Sequence, residues 1–274
     1  MEVNVEKLRQ ALELLEPVIP SKPTLKALEY VRLGEGKAVA TDLEAAVTVS
    51  GLGDSEEGVC LPYDTLAKLL ASVPGPETAL ITIDGKKATL TAGRTRATLA
   101  ALPVEDFPPT PDPKPEHEAA VGGDALVRAL TAVLPCAAGK DDTRPVLQSI
   151  CLTLGENPEA AAADGFRLAW EPIPVKLPGE GSLLIPAGAV RALAHLWRHA
   201  PKPPQLEGVA DPARLATAKR LVRLEYSKDR LMVSFGEVWL CLKSRHFQAV
   251  LGQLALLPQK SRRSAQALVH RLTG

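Results

Sequence analysis

The chain is expected to fold as an α+β protein of two tandem domains, each an antiparallel β-sheet with two helices on one face. Three observations predict this. The segment "KPTLKALEYVRLGEGKAVATDLEAAV" (22–47) is echoed by "RPVLQSICLTLGENPEAAAADGFRLAW" (144–170). Pro23 pairs with Pro145, Leu25 with Leu147 and Asp42 with Asp164, each 122 residues apart, which marks a duplicated unit. Helical periodicity precedes each copy and alternating apolar runs follow it. Between the copies runs "PVEDFPPTPDPKPEHE", with prolines at 103, 108, 109, 111, 113 and 115, a density that imposes a stiff, extended connection. The 274 residues comfortably hold two cores. The expected boundaries are 1–112 for the first domain and 119–257 for the second, with 258–274 a basic C-terminal tail.

Taken in order, Leu8, Leu12 and Leu15 form the apolar stripe of a first helix, with Lys7, Arg9 and Glu13 between them. Its counterpart is Leu126, Leu130, Val133 and Leu134, after the turn Gly122-Gly123-Asp124. After each Ala-x-Asp come a strand, a turn, an apolar–Pro step and a second helix. The steps read "CLPYDTLAKLL" and "LIPAGAVRALAHL", and Pro62 and Pro186 suit a first helical turn, where no backbone N–H is needed. Hairpins follow: "ALITIDGKKATLTAGRTRATLAAL" turns at Asp84-Gly85, and "LVRLEYSKDRLMVSFGEVWLCLK" turns at Ser227 to Asp229 and at Gly236. Each unit therefore reads β-α-β-β-β-α-β-β-β.

Composition narrows the class. Hydrophobic residues make up 46% of the chain, no apolar run approaches the about 18 residues of a membrane span, and "MEVNVEKLRQ" lacks a signal-peptide core. A cytoplasmic protein with no membrane contact is expected. Cys60, Cys136, Cys151 and Cys241 lie far apart among apolar neighbours, as buried free thiols do. Net charge is zero, yet no acid follows Glu237, while Lys243, Arg245, Lys260, Arg262, Arg263 and Arg271 do. A mildly acidic body carries a basic end, suited to a polyanion or to solvent.

Five segments now carry a resemblance: "SKPTL" (21–25), "ATDLEAAV" (40–47), "LPVEDFPPTP" (102–111), "TRPVLQSI" (143–150) and "AADGFRLA" (162–169). Over about residues 2–258 the chain resembles the bacterial replicative sliding clamps, the beta subunits of DNA polymerase III. The resemblance implies clamp-type domains and a non-catalytic processivity factor. Such a factor encircles or docks on duplex DNA without reading sequence and tethers a polymerase, clamp loader or repair protein through short apolar motifs. Family clamps have three such domains and close a six-domain ring from two chains. Here the tail resembles the start of a third domain, so three copies would complete the count as a homotrimer. The alternative is a clamp-derived adaptor or regulator that binds proteins and does not encircle DNA.

A ring that slides attracts phosphates through Lys and Arg on its helices and loops. The candidates are Lys7, Arg9, Lys22, Lys68, Arg128, Lys140, Arg144, Arg191, Arg198 and Lys202, with Lys260, Arg262 and Arg263 in the tail. By resemblance Lys22 is foremost. Where relatives place basic residues after the helix-opening Pro, this chain has Asp64, Thr65, Ala187 and Gly188, which makes a less positive channel. The resemblance also implies one wall of a partner-peptide pocket at Ala163, Gly165, Phe166, Arg167 and Leu168, with Phe247 and Gln248 from "FQAV" where relatives carry an "FPDY"-like segment. The competing reading buries Phe166 and Leu168 in the core.

Catalytic readings find little support. Asp42 and Asp164 occupy equivalent positions of two repeats, so each is expected to cap a turn. His195 and His199 have helical chelating spacing but no nearby Cys or carboxylate, and no metal or cofactor is expected. "AAGKDDT" lacks the leading glycine of a phosphate loop and the Ser or Thr that follows its lysine, and no Gly-x-Ser-x-Gly motif occurs.

Overall fold

The computed structural model describes residues 1–53, 57–73, 78–110, 115–201, 221–227, 230–243 and 245–246. The chain divides into two compact units. Met1–Asp112 with Gly236–Leu240 form the first, and the second comprises Pro113–Phe235 and the residues from Cys241 onward.

In the first unit β1 (Glu2–Asn4) runs into α1 (Val5–Leu15), followed by β2 (Tyr30–Gly34), β3 (Lys37–Thr41), β4 (Ala45–Val49) and β5 (Val59–Pro62). Then come α2 (Tyr63–Ser72) and β6 (Thr78–Asp84), β7 (Lys87–Ala92) and β8 (Thr95–Ala100). Asn4 starts α1: its side-chain oxygen accepts from the Lys7 N–H at 3.0 Å, satisfying an orphan donor of the first turn. Val5, Leu8, Leu12 and Leu15 are buried, so the spacing of the leucines puts one face of α1 against the sheet. α2 packs beside α1 and buries Leu66 and Leu70. The Tyr63 hydroxyl donates to the Leu12 carbonyl at 3.2 Å, and burial raises its pKa to about 12. The strands are antiparallel, in the orders β1-β6-β7-β8 and β5-β2-β3-β4. The "LPVEDFPP" segment closes this unit: Leu102 exchanges backbone hydrogen bonds with Cys60, and Phe107 packs with Tyr30, Val39 and Cys60.

The second unit repeats the plan. It runs β9 (His117–Gly122), α3 (Gly123–Val133), β10 (Ser149–Gly155), β11 (Glu159–Ala163), β12 (Leu168–Pro172), β13 (Leu177–Pro186) and α4 (Ala187–His199). β14 (Leu221–Tyr226), β15 (Arg230–Phe235), β16 (Val238–Lys243, its first three residues counted with the first unit) and β17 (Arg245–His246) follow. The orders β9-β14-β15-β16 and β12-β11-β10-β13 reproduce those of the first unit strand for strand, with β17 added beside β13.

Three local readings change. β5 and β13 are full strands, so the first unit has one strand more than the expected pattern and the second, with β17, has two. At the sequence level "VCLP" is too short, and too apolar on both faces, to show a period of two. Pro62 and Pro186 end those strands and sit at the N-cap of α2 and α4 rather than inside the first turn. In the first hairpin Asp84 pairs with Lys87, so the two turn residues are Gly85 and Lys86. Gly85 takes the positive φ of 56° that such a turn needs. Three cysteines are buried, but Cys136 is half-exposed because it follows Pro135 in a short 3-10 turn. No helix among the described residues is long and apolar enough to cross a membrane.

Candidate functional site

The connection from β11 to β12 is built on one carboxylate. Ala163 pairs with Leu168 at the strand ends, leaving Asp164–Arg167 as a four-residue turn closed by the Asp164 N–H donating to the Arg167 carbonyl at 3.2 Å. Asp164 Oδ1 accepts from the backbone N–H groups of Phe166 and Arg167 at 2.9 and 2.7 Å. Its Oδ2 accepts from Nε and Nη2 of Arg167 at 2.9 and 2.8 Å. The Arg167 N–H is the main cause that holds the Asp164 pKa down at about 2, with the Phe166 N–H and the Arg167 guanidinium adding to it. Gly165 takes φ +94°, a conformation that side chains disfavour.

Arg144 buttresses this turn. Its Nε and Nη2 donate to both carboxylate oxygens of Asp142 at 2.9 and 2.7 Å, and Nη2 reaches the Asp164 carbonyl at 3.5 Å. The Arg144 side chain lowers the Asp142 pKa to about 2, and Asp142 in turn raises that of Arg144. Ala163 packs on Ala138 and Leu147 at the base.

What the turn presents is apolar. Phe166 is 96% exposed, which excludes the core reading, and Leu168 and Trp170 are 38% and 45% exposed. The latter two share one face of β12, an edge strand. With Phe166 in the turn before them they make an exposed apolar ridge in sequence, at alternate positions, with the exposed guanidinium of Arg167 beside Phe166 along the chain. Trp170 was not singled out from sequence; the spacing Phe166, Leu168, Trp170 was the signal available for it.

The duplicated turn in the first unit isolates what is special here. Asp42 Oδ1 accepts from Glu44 and Ala45 N–H at 2.9 and 2.7 Å, and Leu43 sits at φ +75°. The scaffold is the same, but Glu44, Ala46 and Thr48 stand where the second unit has Phe166, Leu168 and Trp170. Both aspartates cap turns, and only one turn carries an apolar ridge.

The basic candidates divide by their partners. Arg9, Arg144 and Lys7 have partners within the fold. Arg9 donates from Nε and Nη2 to the Leu70 carbonyl at 2.9 and 2.5 Å and also to that of Val73. It caps the C-terminus of α2, where carbonyls lack helical partners, and pairs with Glu6 at 3.4 Å. Arg144 is bound by Asp142, as above. Lys7 donates to the Gly51 carbonyl at 3.0 Å. Lys22, Lys68, Arg128, Lys140, Arg191 and Arg198 are exposed. Lys202, Lys260, Arg262, Arg263, Phe247 and Gln248 lie outside the described residues.

His195 and His199 stack at 4.3 Å, and among the described residues no group of three or more His, Cys, Asp or Glu side chains could hold a metal. Burial raises the thiol pKa of Cys60 to about 11 and of Cys151 to about 12, which suppresses the reactive thiolate.

No family model matches the chain. The chain is 31% identical over 186 residues to the Beta sliding clamp of Streptomyces coelicolor, covering 63% of this chain and 49% of that protein. It is 28% identical over 204 residues to the Beta sliding clamp of Pseudomonas putida, covering 71% and 55%. The chain thus spans about half the length of these relatives. The crystal structure of the DNA polymerase sliding clamp from Pseudomonas aeruginosa superposes with TM-score 0.74 at 22% identity, covering 89% of this chain and 64% of that one. A Pseudomonas aeruginosa clamp bound to griselimycin gives 0.73 at 22% identity over the same shares. The Caulobacter crescentus clamp also gives 0.73, at 20% identity. At these identities the structural likeness establishes the fold.

Proposed function

Because the chain is related in sequence to the bacterial beta sliding clamps and shares their fold, we propose that it is a sliding-clamp-like, non-catalytic processivity factor. In this reading it encircles or docks on duplex DNA in the cytoplasm and tethers a DNA polymerase, clamp loader or repair protein. The two clamp domains are 1–112 and 119–257, with 258–274 a basic tail. The observation that carries the reading is kinship extending over both units, since the Pseudomonas putida alignment covers 71% of the chain. The partner site is the turn at Asp164–Arg167 with the ridge of Phe166, Leu168 and Trp170. An exposed aromatic on a carboxylate-braced turn is pre-organised to anchor a short apolar motif.

Encirclement has a topological signature. The protein should be retained on a nicked DNA circle after loading and lost when that circle is linearised. Equal retention on circle and line would overturn the sliding mechanism.

A second reading, an adaptor that binds proteins without encircling DNA, draws on the internal commitment of Arg9 and Arg144. Peptide titration tests the surface both readings share. Phe166→Ala should weaken an apolar clamp-binding peptide by about 1–3 kcal/mol. Absence of binding by the unmodified protein at millimolar peptide would remove that surface from either reading.

A further inference from the structure

We infer that the duplex-facing charge is concentrated on the helix pair α3–α4 of the second unit, on Arg128, Arg191 and Arg198, and that the helices of the first unit contribute little. The inference rests on the reading of the chain as a duplex-binding clamp and assigns its electrostatic contact to one of two equivalent helix pairs.

The two pairs share a fold position but not a charge pattern. α4 carries Arg191 and Arg198 and no carboxylate at all. The two arginines are seven residues apart, hence on one face of the helix, and both are exposed. α3 packs against α4 and carries Arg128, also exposed. Its one carboxylate, Asp124, accepts from the Trp197 indole N–H at 3.1 Å. Trp197 lies edge-on to Phe235, with ring centroids 5.2 Å apart, so Asp124 is engaged at the helix junction. None of the three arginines forms an ion pair among the described residues.

In the first unit α1 and α2 set Lys7, Arg9 and Lys68 against Glu6, Glu13 and Asp64, which cancels the formal charge. Arg9 spends its guanidinium on the Leu70 and Val73 carbonyls and on Glu6, and Lys7 is drawn to Gly51. A phosphate approaching that pair meets carboxylates and occupied donors. A phosphate approaching α3–α4 meets three guanidinium forks, whose planar geometry suits bidentate phosphate contact.

Counterion release makes this measurable, because log K falls with log salt by about 0.9 per phosphate neutralised on duplex. Binding of a fluorescein-labelled blunt duplex should be followed by anisotropy across a salt series. The comparison includes the full chain, the Arg128→Ala/Arg191→Ala/Arg198→Ala variant, the same three positions as Lys, and Lys22→Ala/Lys68→Ala. The alanine triple should lower the salt slope by about 2.7, the lysine triple should restore most of it, and the first-unit double should leave most of it in place. An alanine triple with the parent slope overturns the assignment to α3–α4 while leaving the DNA reading intact. So does a lysine triple that fails to restore the slope, because charge would then not be the cause. An unmodified chain that leaves this open-ended duplex unbound at low salt overturns the inference, while the DNA reading is decided by retention on the nicked circle. Equal binding to anionic vesicles and to duplex would overturn the DNA reading, since a generic polyanion surface would then suffice.

Discussion

Asp164 shows how much one carboxylate can organise. It holds two backbone N–H groups and one guanidinium, and so fixes where Phe166 points. Asp164→Ala should cost about 1 kcal/mol of folding stability by denaturant titration, the worth of hydrogen bonds at a partly exposed site. Phe166→Ala should change stability by less than about 0.5 kcal/mol, because an exposed side chain has little packing to lose. The pH dependence follows from the depressed pKa. The ordinary aspartate value is about 3.9, and in the folded chain Asp164 and Asp142 lie at about 2. Their contribution is therefore fully present above about pH 4 and is lost as pH falls through about 2. Amide chemical shifts of Phe166 and Arg167 should titrate with a midpoint near 2, and a midpoint near 4 would show that the turn does not hold the charge.

At the level of elements, the junction between α3 and α4 leaves no room for a side chain at Gly123. A Cβ on Gly123 would lie 2.1 Å from the Trp197 ring and 2.5 Å from Val222 Cγ2, while one on Gly122 meets nothing within 4 Å. Gly123→Ala should therefore destabilise the protein by about 1–3 kcal/mol through overpacking, and Gly122→Ala, which changes only the N-cap of α3, should cost less than about 1 kcal/mol. Thermal melts of the two variants check the contrast, and equal melting temperatures would refute it. The helix stripes of both units were legible in the sequence because three or four leucines at helical spacing leave no other buried face. β5 and the stretch 182–185 of β13 were not, since residues buried on both faces carry no alternation. Trp170 was missed for a related reason: an apolar residue at alternating spacing reads as core until the free edge of its strand is known.

For the whole molecule, two units with the same strand order leave the number of copies in an assembly as the main question for function. If a six-domain ring forms, light scattering at micromolar concentration should return three times the chain mass, since a closed symmetric ring leaves no unmatched edge. A mass of one chain at every concentration would rule out an autonomous ring and favour the adaptor. The charge distribution bears on the same choice. A ring whose cations lie on one helix pair per chain would hold DNA by fewer phosphate contacts than one charged on every helix, and its binding would vary less with salt.

The duplication, the helices, most strands and the two turn-capping aspartates were determined by the sequence alone, because periodicity and Asx-turn chemistry are local and a repeat needs only to be compared with itself. Which cations stay open and which apolar side chains stay exposed was decided by the tertiary structure. Arg9 and Lys7 are alike on α1 until Leu70, 61 residues away from Arg9, places a helix end against the guanidinium. Phe166 and Leu168 could be core or surface until β12 takes the edge of its sheet. Hydrogen-bond partners and burial are set by what folding brings opposite a residue, and a one-dimensional pattern records the period of a segment without recording its neighbour.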